Sequence, residues 1–414
     1  MELIVVRTTA DAAVGRMRPT VPAGVVWAQF GDEVVVGGAG AAWTRHRDAM
    51  TGDGARVMRK PKLSSDRLHV VVQQGRLFQA HHPKVPVLHD RGRYLLVDLE
   101  PRQARRIGKR HPTCYGLYPL ATGDVVFARG GSVARRAATQ SVKALVDKVS
   151  ANRFSTDLTA LAGMHTRLST SANYREAVKT TSTALSGLGY VVRKQRISVP
   201  TKPSYNVIAD RAGTDPNPRG QVVVTAHLDS INWEDGPGAA APGADDNGSG
   251  AAGILELARV FSGIESKLDL RFVLFGGEEQ GLYGSKHFVA KLTAADRGRI
   301  RAALNMDMIG STNTATRTVL LEGSPISVTM MDALEAAAGT YTGLAVERSL
   351  HPFNSDHVSF IERGIPGVLS IEGADSSNNR VHSARDTLAH VDVPLAVEIL
   401  RMNVGFVAGA IDVV

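Results

Sequence analysis

Cysteine is almost missing from this chain: Cys114 is the only one in 414 residues. An intramolecular disulfide is therefore impossible, which excludes a disulfide framework, and no cysteine-ligated zinc finger can form. A lone thiol reads as a small buried hydrophobe. Long apolar runs are absent too, with nothing near the roughly 18 residues of a membrane span. The start, MELIVVRTTADAAVG, has no charged leader, extended apolar core or small-residue cleavage site. The chain as written is expected in the cytoplasm; a mature form already trimmed of its signal would read the same and be secreted or periplasmic. There is no internal repeat, no low-complexity tract and no G-x-S-x-G elbow, so a serine hydrolase has no support.

What is present is the composition of an ordinary globular protein, 43% hydrophobic with mean hydropathy −0.07. At this length two domains are the default. The net charge of +8 is uneven: residues 1–150 hold 24 Lys+Arg against 12 Asp+Glu, and the remainder holds 24 against 28. A basic front and a mildly acidic back argue for two modules. The cluster RQARRIGKRH (102–111) reads as a solvated basic face. No nucleic-acid motif accompanies it, so neither nucleic acid nor membrane is expected as a partner.

Residues 1–134 carry short strand-like runs, among them ELIVV, GVVWAQF, DEVVVGG, LHVVVQQ, YLLVDL and DVVFARG, with one short helical piece, PRQARRIG. This predicts a smaller β-rich basic domain over 1–134, its role open between a propeptide-like cap, a substrate-recruiting module and a partner-binding domain. From 135 to 414 the pattern alternates. SANYREAVKTTSTALSGLG, GSGAAGILELARVFSG, QGLYGSKHFVAKL, PISVTMMDALEAAAG, SDHVSFIERG and VPLAVEILRMNVGFVAGAI read as helices. QVVVTAH, LDLRFVLFGG, RAALNMDMIG and IPGVLSIEG read as strands, as do YVVRKQRISV and YNVIADRAG. The expected class is α/β, a mainly parallel sheet with helices on both faces. Ligands of such sheets sit beyond the carboxyl ends of the strands.

Histidines and acids recur at those predicted ends. TAHLDS places His227 and Asp229, PGADDNGSG places Asp245 and Asp246, GGEEQG places Glu278 and Glu279, NMDMIG places Asp307, and RVHSARDT places His382 and Asp386. Each alone has a plain structural explanation; Asp246 or Asn247, for instance, suits a helix N-cap. Asp307 is harder to explain away, because a carboxylate in a buried strand needs a cation or several donors. Five segments converging in this way point to a two-metal site. Mixed imidazole and carboxylate ligands suit zinc better than calcium or magnesium.

In this order, AHLDS, PGADDNGSG, EEQGLYGS, NMDMIG, SDH and VHSARDT resemble the di-zinc aminopeptidases of peptidase family M28, over roughly residues 150–414. The resemblance implies a zinc-exopeptidase fold and two Zn2+ per chain, with Co2+ or Mn2+ able to substitute. It implies His227 and Asp307 on one zinc, Glu279 and His382 on the other, and Asp246 bridging them. Asp229 would orient His227, and Glu278 would serve as general base and acid. The implied activity is that of a metalloaminopeptidase, hydrolysing the N-terminal bond of peptides with a free amino terminus by a zinc-activated water. Some family members place a tyrosine beside the last ligand histidine or just before the SDH-like motif. Val381 and Asn354 stand at those positions here, which leaves the oxyanion to another donor, Arg380 or His351, or to zinc alone. Asp356 of SDH reads either as a contributor beside the metals or as a helix N-cap. A related di-zinc carboxypeptidase or N-acyl amino acid deacylase is the alternative, and a non-catalytic scaffold on the same fold a remoter one. Oligomeric state and side-chain preference are not legible.

Overall fold

The β-patterned front of the chain does form strands in the computed structural model, which describes residues 1–7, 24–50, 56–59, 63–110, 115–130 and 138–414. Cys114 and the expected domain boundary at 134/135 lie outside the described residues. The chain divides into two compact units. The first is Met1–Ser132 with Glu347–Asn354 and Ala374–Ser377; the second is Val133–Val346, Ser355–Gly373 and Asn378–Val414.

In the first unit, strands β1 (Glu2–Arg7), β2 (Val26–Phe30), β3 (Glu33–Gly38), β4 (Arg56–Arg59), β5 (Leu68–Gln73), β6 (Val87–Arg91), β7 (Tyr94–Asp98), β8 (Tyr115–Pro119) and β9 (Asp124–Arg129) account for every run that the sequence marked. They make two groups, β9-β2-β3-β1-β4 and β6-β7-β5-β8. The second group is antiparallel throughout, as short strands joined by tight turns allow. The basic piece is helix Pro101–Arg110. Ala104 and Ile107 turn inward, leaving Arg102, Arg105, Arg106 and Lys109 exposed as a charged stripe.

In the second unit, β10 (Val191–Val199), β11 (Lys202–Arg211), β12 (Gln221–His227), β13 (Asp269–Phe275), β14 (Ile300–Met306), β15 (Thr318–Glu322) and β17 (Gly367–Glu372) pair in the order β10-β11-β13-β12-β14-β17-β15. Strand β16 (Ala345–Ser349) runs across the division of the chain, and its Glu347 and Arg348, which belong to the first unit, pair antiparallel with Arg129 and Ala128 of β9. The central four, β13-β12-β14-β17, are parallel. The flanks are antiparallel: β10 and β11 are a hairpin, β11 returns along β13, and β15 runs against β17. The parallel core is therefore the expected one inside a mixed sheet. A hairpin needs only a short turn, so it can extend an edge without a crossover helix.

Period-two alternation sends Val222, Val224 and Ala226 of β12 to one face and Val223 to the other. On the first face lie helices Gln140–Val146, Ala151–Ala162, Ala172–Gly187, Gly250–Phe261, Val328–Tyr341 and Val393–Ala410; on the second lie the shorter Tyr283–Lys291 and His357–Ile361. Both faces are thus covered, which is why these strands read as near-continuous apolar runs. Val393–Ala410 has the length and hydropathy of a membrane span, but most of it is buried inside the protein and it is a core helix. Ser171 caps the helix Ala172–Gly187 by accepting the Tyr174 amide at 3.0 Å.

Candidate metal centre

Register brings the site together. His227 ends β12 opposite Phe275 of β13, and Thr225 lies opposite Asn305 of β14. The residues that follow, Glu278 and Glu279 on one side and Asp307 on the other, therefore leave the sheet at one edge. Gly277 makes the exit from β13 with φ +71, and a Cβ on Gly276 would collide with the Tyr174 hydroxyl. His382 arrives from a loop, itself at φ +56.

The ligand-type atoms sort into two clusters sharing one carboxylate. His227 Nε2 lies 3.2 Å from Asp307 Oδ1 and 3.2 Å from Asp246 Oδ1. His382 Nε2 lies 3.0 Å from Asp246 Oδ2 and 3.1 Å from Glu279 Oε2. Asp246 thus offers each of its oxygens to a different imidazole. Glu278 Oε2 is 3.9 Å from His227 Nε2, and Glu278, His227 and Asp307 lie near enough together to share an ion. Asp229 ties two strand ends together: its main-chain oxygen is 3.1 Å from His227 Nδ1, and its Oδ1 accepts the Glu278 amide at 3.3 Å. Its carboxylate lies farther from Nδ1, at 3.6 Å, so the nearer acceptor for the ring is the main-chain carbonyl.

Taken as protein alone, the cluster is electrostatically unfavourable. Burial would lower both imidazoles, yet the carboxylates around them raise His227 and His382 well above the ordinary histidine range. Burial pushes Glu279 up to about 7, with the Asp246 charge adding to it. Burial also raises Glu278, against the pull of His227. Asp246 goes the other way, because hydrogen bonds to both histidines outweigh its burial and hold it below the usual carboxylate range. Glu279 Oε1 is buried and meets no hydrogen-bond donor. So dense a set of inward-facing oxygens with two imidazoles is what divalent cations stabilise. The donors are nitrogen and oxygen in the mixture that zinc accepts. The residues fit the metal.

In the D-D-N triplet each residue does a different job. Asn247 Oδ1 accepts the Gly250 amide at 2.9 Å and its Nδ2 donates to Met306 O at 2.9 Å, so it caps the helix and pins it to β14. Asp245 faces away from the imidazoles and accepts from Ser311, Gly310 and Asn378. Only Asp246 is left to turn toward the histidines. Asp356 precedes the helix His357–Ile361 without capping it; burial pushes its carboxyl up to about 7. His351 is turned to Asp124, 3.3 Å away within the first unit. The sequence had not marked the Thr225–Asn305–Ser355 relay, which ends with Ser355 Oγ donating to Asp307 Oδ2 at 2.7 Å. Nothing in residue type alone distinguishes such a serine from any other polar loop residue.

A parallel-centred α/β sheet with a shared-carboxylate histidine cluster at its strand ends is the architecture of the zinc-exopeptidase fold. Residues 206–407 match the model of peptidase family M28. Among curated relatives, leupeptin-inactivating enzyme 1 of Streptomyces exfoliatus is 34% identical over 206 residues, 49% of this chain and 44% of that protein. A probable leucine aminopeptidase of Trichophyton verrucosum is 32% identical over 209 residues, 49% of this chain and 56% of the relative. The chain spans about half the length of the curated relatives it matches. The zinc aminopeptidase BSAP of Bacillus subtilis superposes with TM-score 0.58 at 18% identity, covering 64% of this chain and 96% of that one. LapA aminopeptidase of Legionella pneumophila gives 0.60 at 18% identity, with 83% and 98% covered. At such identities the superpositions establish the shared fold.

Proposed function

We propose that the chain is a zinc-dependent aminopeptidase that removes amino-terminal residues from peptides. The carrying observation is Asp246, whose two carboxylate oxygens face two different histidines, His227 at 3.2 Å and His382 at 3.0 Å. That arrangement suits two zinc ions, one held by His227 and Asp307, one by Glu279 and His382, with Asp246 between them. Co2+ and Mn2+ accept the same ligand types and should substitute. When bound, the metals supply Lewis acidity toward the scissile carbonyl and toward water.

The chain's own residues do the rest. Glu278, buried beside the ligand atoms, takes a proton from the attacking water and delivers it to the departing amine. Asp229 holds the Glu278 main chain through its amide and, by its own carbonyl, fixes the His227 ring with Nε2 toward the site. The surplus of carboxylates suits a protonated α-amine, so a free amino terminus is the expected substrate feature. The first unit is proposed as a separate domain outside the chemistry.

A related carboxypeptidase or deacylase would use the same metals with a different pocket. An aminoacyl anilide assayed beside its N-acetylated form separates the readings. Only the free amine should turn over; equal turnover of the blocked substrate refutes the aminopeptidase.

A further inference from the structure

The second unit contains an arginine with no accessible surface at all, Arg167. Its guanidinium donates only to main-chain carbonyls: Leu228 O at 2.9 Å, Leu161 O at 3.1 Å, Gly243 O at 2.8 Å and Pro242 O. A fully buried guanidinium is costly unless its donors and its charge are both compensated. The carbonyls satisfy the donors. Burial lowers the guanidinium below its ordinary range, and Asp386, Asp229, Glu279 and Asp246 counter that only in part.

The bonds also have a direction. Leu228 lies between His227 and Asp229, and Pro242–Gly243 opens the loop that carries Asp246. One planar fork therefore ties the end of β12 to the start of the D-D-N loop. Gly243, at φ +51, is a tight point of the loop, where a Cβ would collide with Asp246 O and Ser230 Cβ and lie 3.1 Å from Arg167 Nη2. From the separate segment after His382 comes Asp386, buried, with Oδ1 accepting the Asp245 amide and Oδ2 the Asp246 amide, both at 2.9 Å. The loop is gripped by a cation on its carbonyls and by an anion on its amides.

We propose that Arg167 and Asp386 are positioning residues that hold the Asp246 carboxylate between His227 and His382 before any metal arrives. The inference rests on the metal-site reading above and deepens it. A Lys at 167 keeps the charge but cannot reach carbonyls spread around a planar fork. An Asn at 386 has one acceptor oxygen, so one loop amide loses its partner.

Asp386→Asn and Arg167→Lys should each weaken zinc binding by roughly 10- to 100-fold, as loss of the partners behind a ligand does. Binding is read by chelator competition, with activity recovering at high zinc. A purely structural role would lower the melting temperature and leave zinc affinity at the wild-type value; that result in a folded Asp386→Asn protein overturns the proposal. Hydrogen exchange on the metal-free wild type needs no variant: the Asp245 and Asp246 amides should be protected before zinc is added. Fast exchange there, with protection gained only on zinc binding, also refutes it. Should the wild type itself fail to bind zinc, the site assignment fails instead.

Discussion

Glu278 and Glu279 are neighbours in sequence but are expected to separate cleanly on mutation. Replacing either by glutamine is nearly isosteric, and Glu278 is only 7% exposed, so packing should survive. Glu278 stands 3.9 Å from His227 Nε2, while His227 is 3.2 Å from Asp246 and from Asp307, and His382 is 3.0 Å from Asp246 and 3.1 Å from Glu279. Glu278→Gln should therefore retain both metal equivalents. A positioned general base contributes about 10²- to 10⁴-fold, so kcat should fall by that factor, or about 3–5 kcal/mol in barrier. Glu279 is placed otherwise. Its Oε2 is 3.1 Å from His382 Nε2, and its buried Oε1 meets no protein donor. Glutamine there removes a charged ligand, and the affinity for one of two metals should drop by at least the roughly 10- to 100-fold that loss of a supporting residue costs. Metal equivalents after dialysis and kcat on an aminoacyl anilide are the two readouts. Equal metal loss in both variants, or a metal-loaded Glu278→Gln protein with near wild-type kcat, would refute the division of labour.

Metal removal should be equally informative: chelation abolishes turnover, added zinc restores it, and because the ions bind the folded state the folding stability rises by about 2.7 kcal/mol per site at a hundredfold excess over Kd, carrying the melting temperature up with it. A melting temperature indifferent to zinc would argue against a site built into this sheet edge. Away from the site, burial opposes ionisation of Asp269, but Arg219, the Gly213 amide and Arg299 hold it below its ordinary 3.8. A depressed folded pKa stabilises above the unfolded value and is lost as pH falls through the folded one. Asp269→Asn should therefore destabilise the protein near pH 7, with a penalty that shrinks as pH falls from about 3.8 through the depressed folded value, by denaturant titration across that range; a penalty independent of pH would refute the assignment.

The candidate site was largely legible in the sequence because chemistry and topology coincide in it. Each central strand ends in a His or an acid, and in a parallel sheet all those ends face one way. Strand β15 and the helix Ala151–Ala162 were missed. TVLLE is too short for periodicity to separate it from a buried helical segment, whereas the helix Ala151–Ala162 was legible in principle, with Phe154, Leu158 and Leu161 at i, i+4 and i+7. Arg167 gave no signal either, since its partners lie up to 76 positions away.

By itself the sequence determined which residue types reach the carboxyl edge, since strand period and the order of motifs follow from local pattern. The family resemblance named Asp246 as the acid of the D-D-N loop that faces the histidines, but only the tertiary structure supplies the reason. Asp245, Asp246 and Asn247 are chemically near-equivalent when read in one dimension. They part company because Ser311 and Asn378 take the first and the Gly250 amide takes the third, while Asp386 holds the loop amides. Such choices depend on donors brought close by folding, and distance in space is what a linear pattern does not carry.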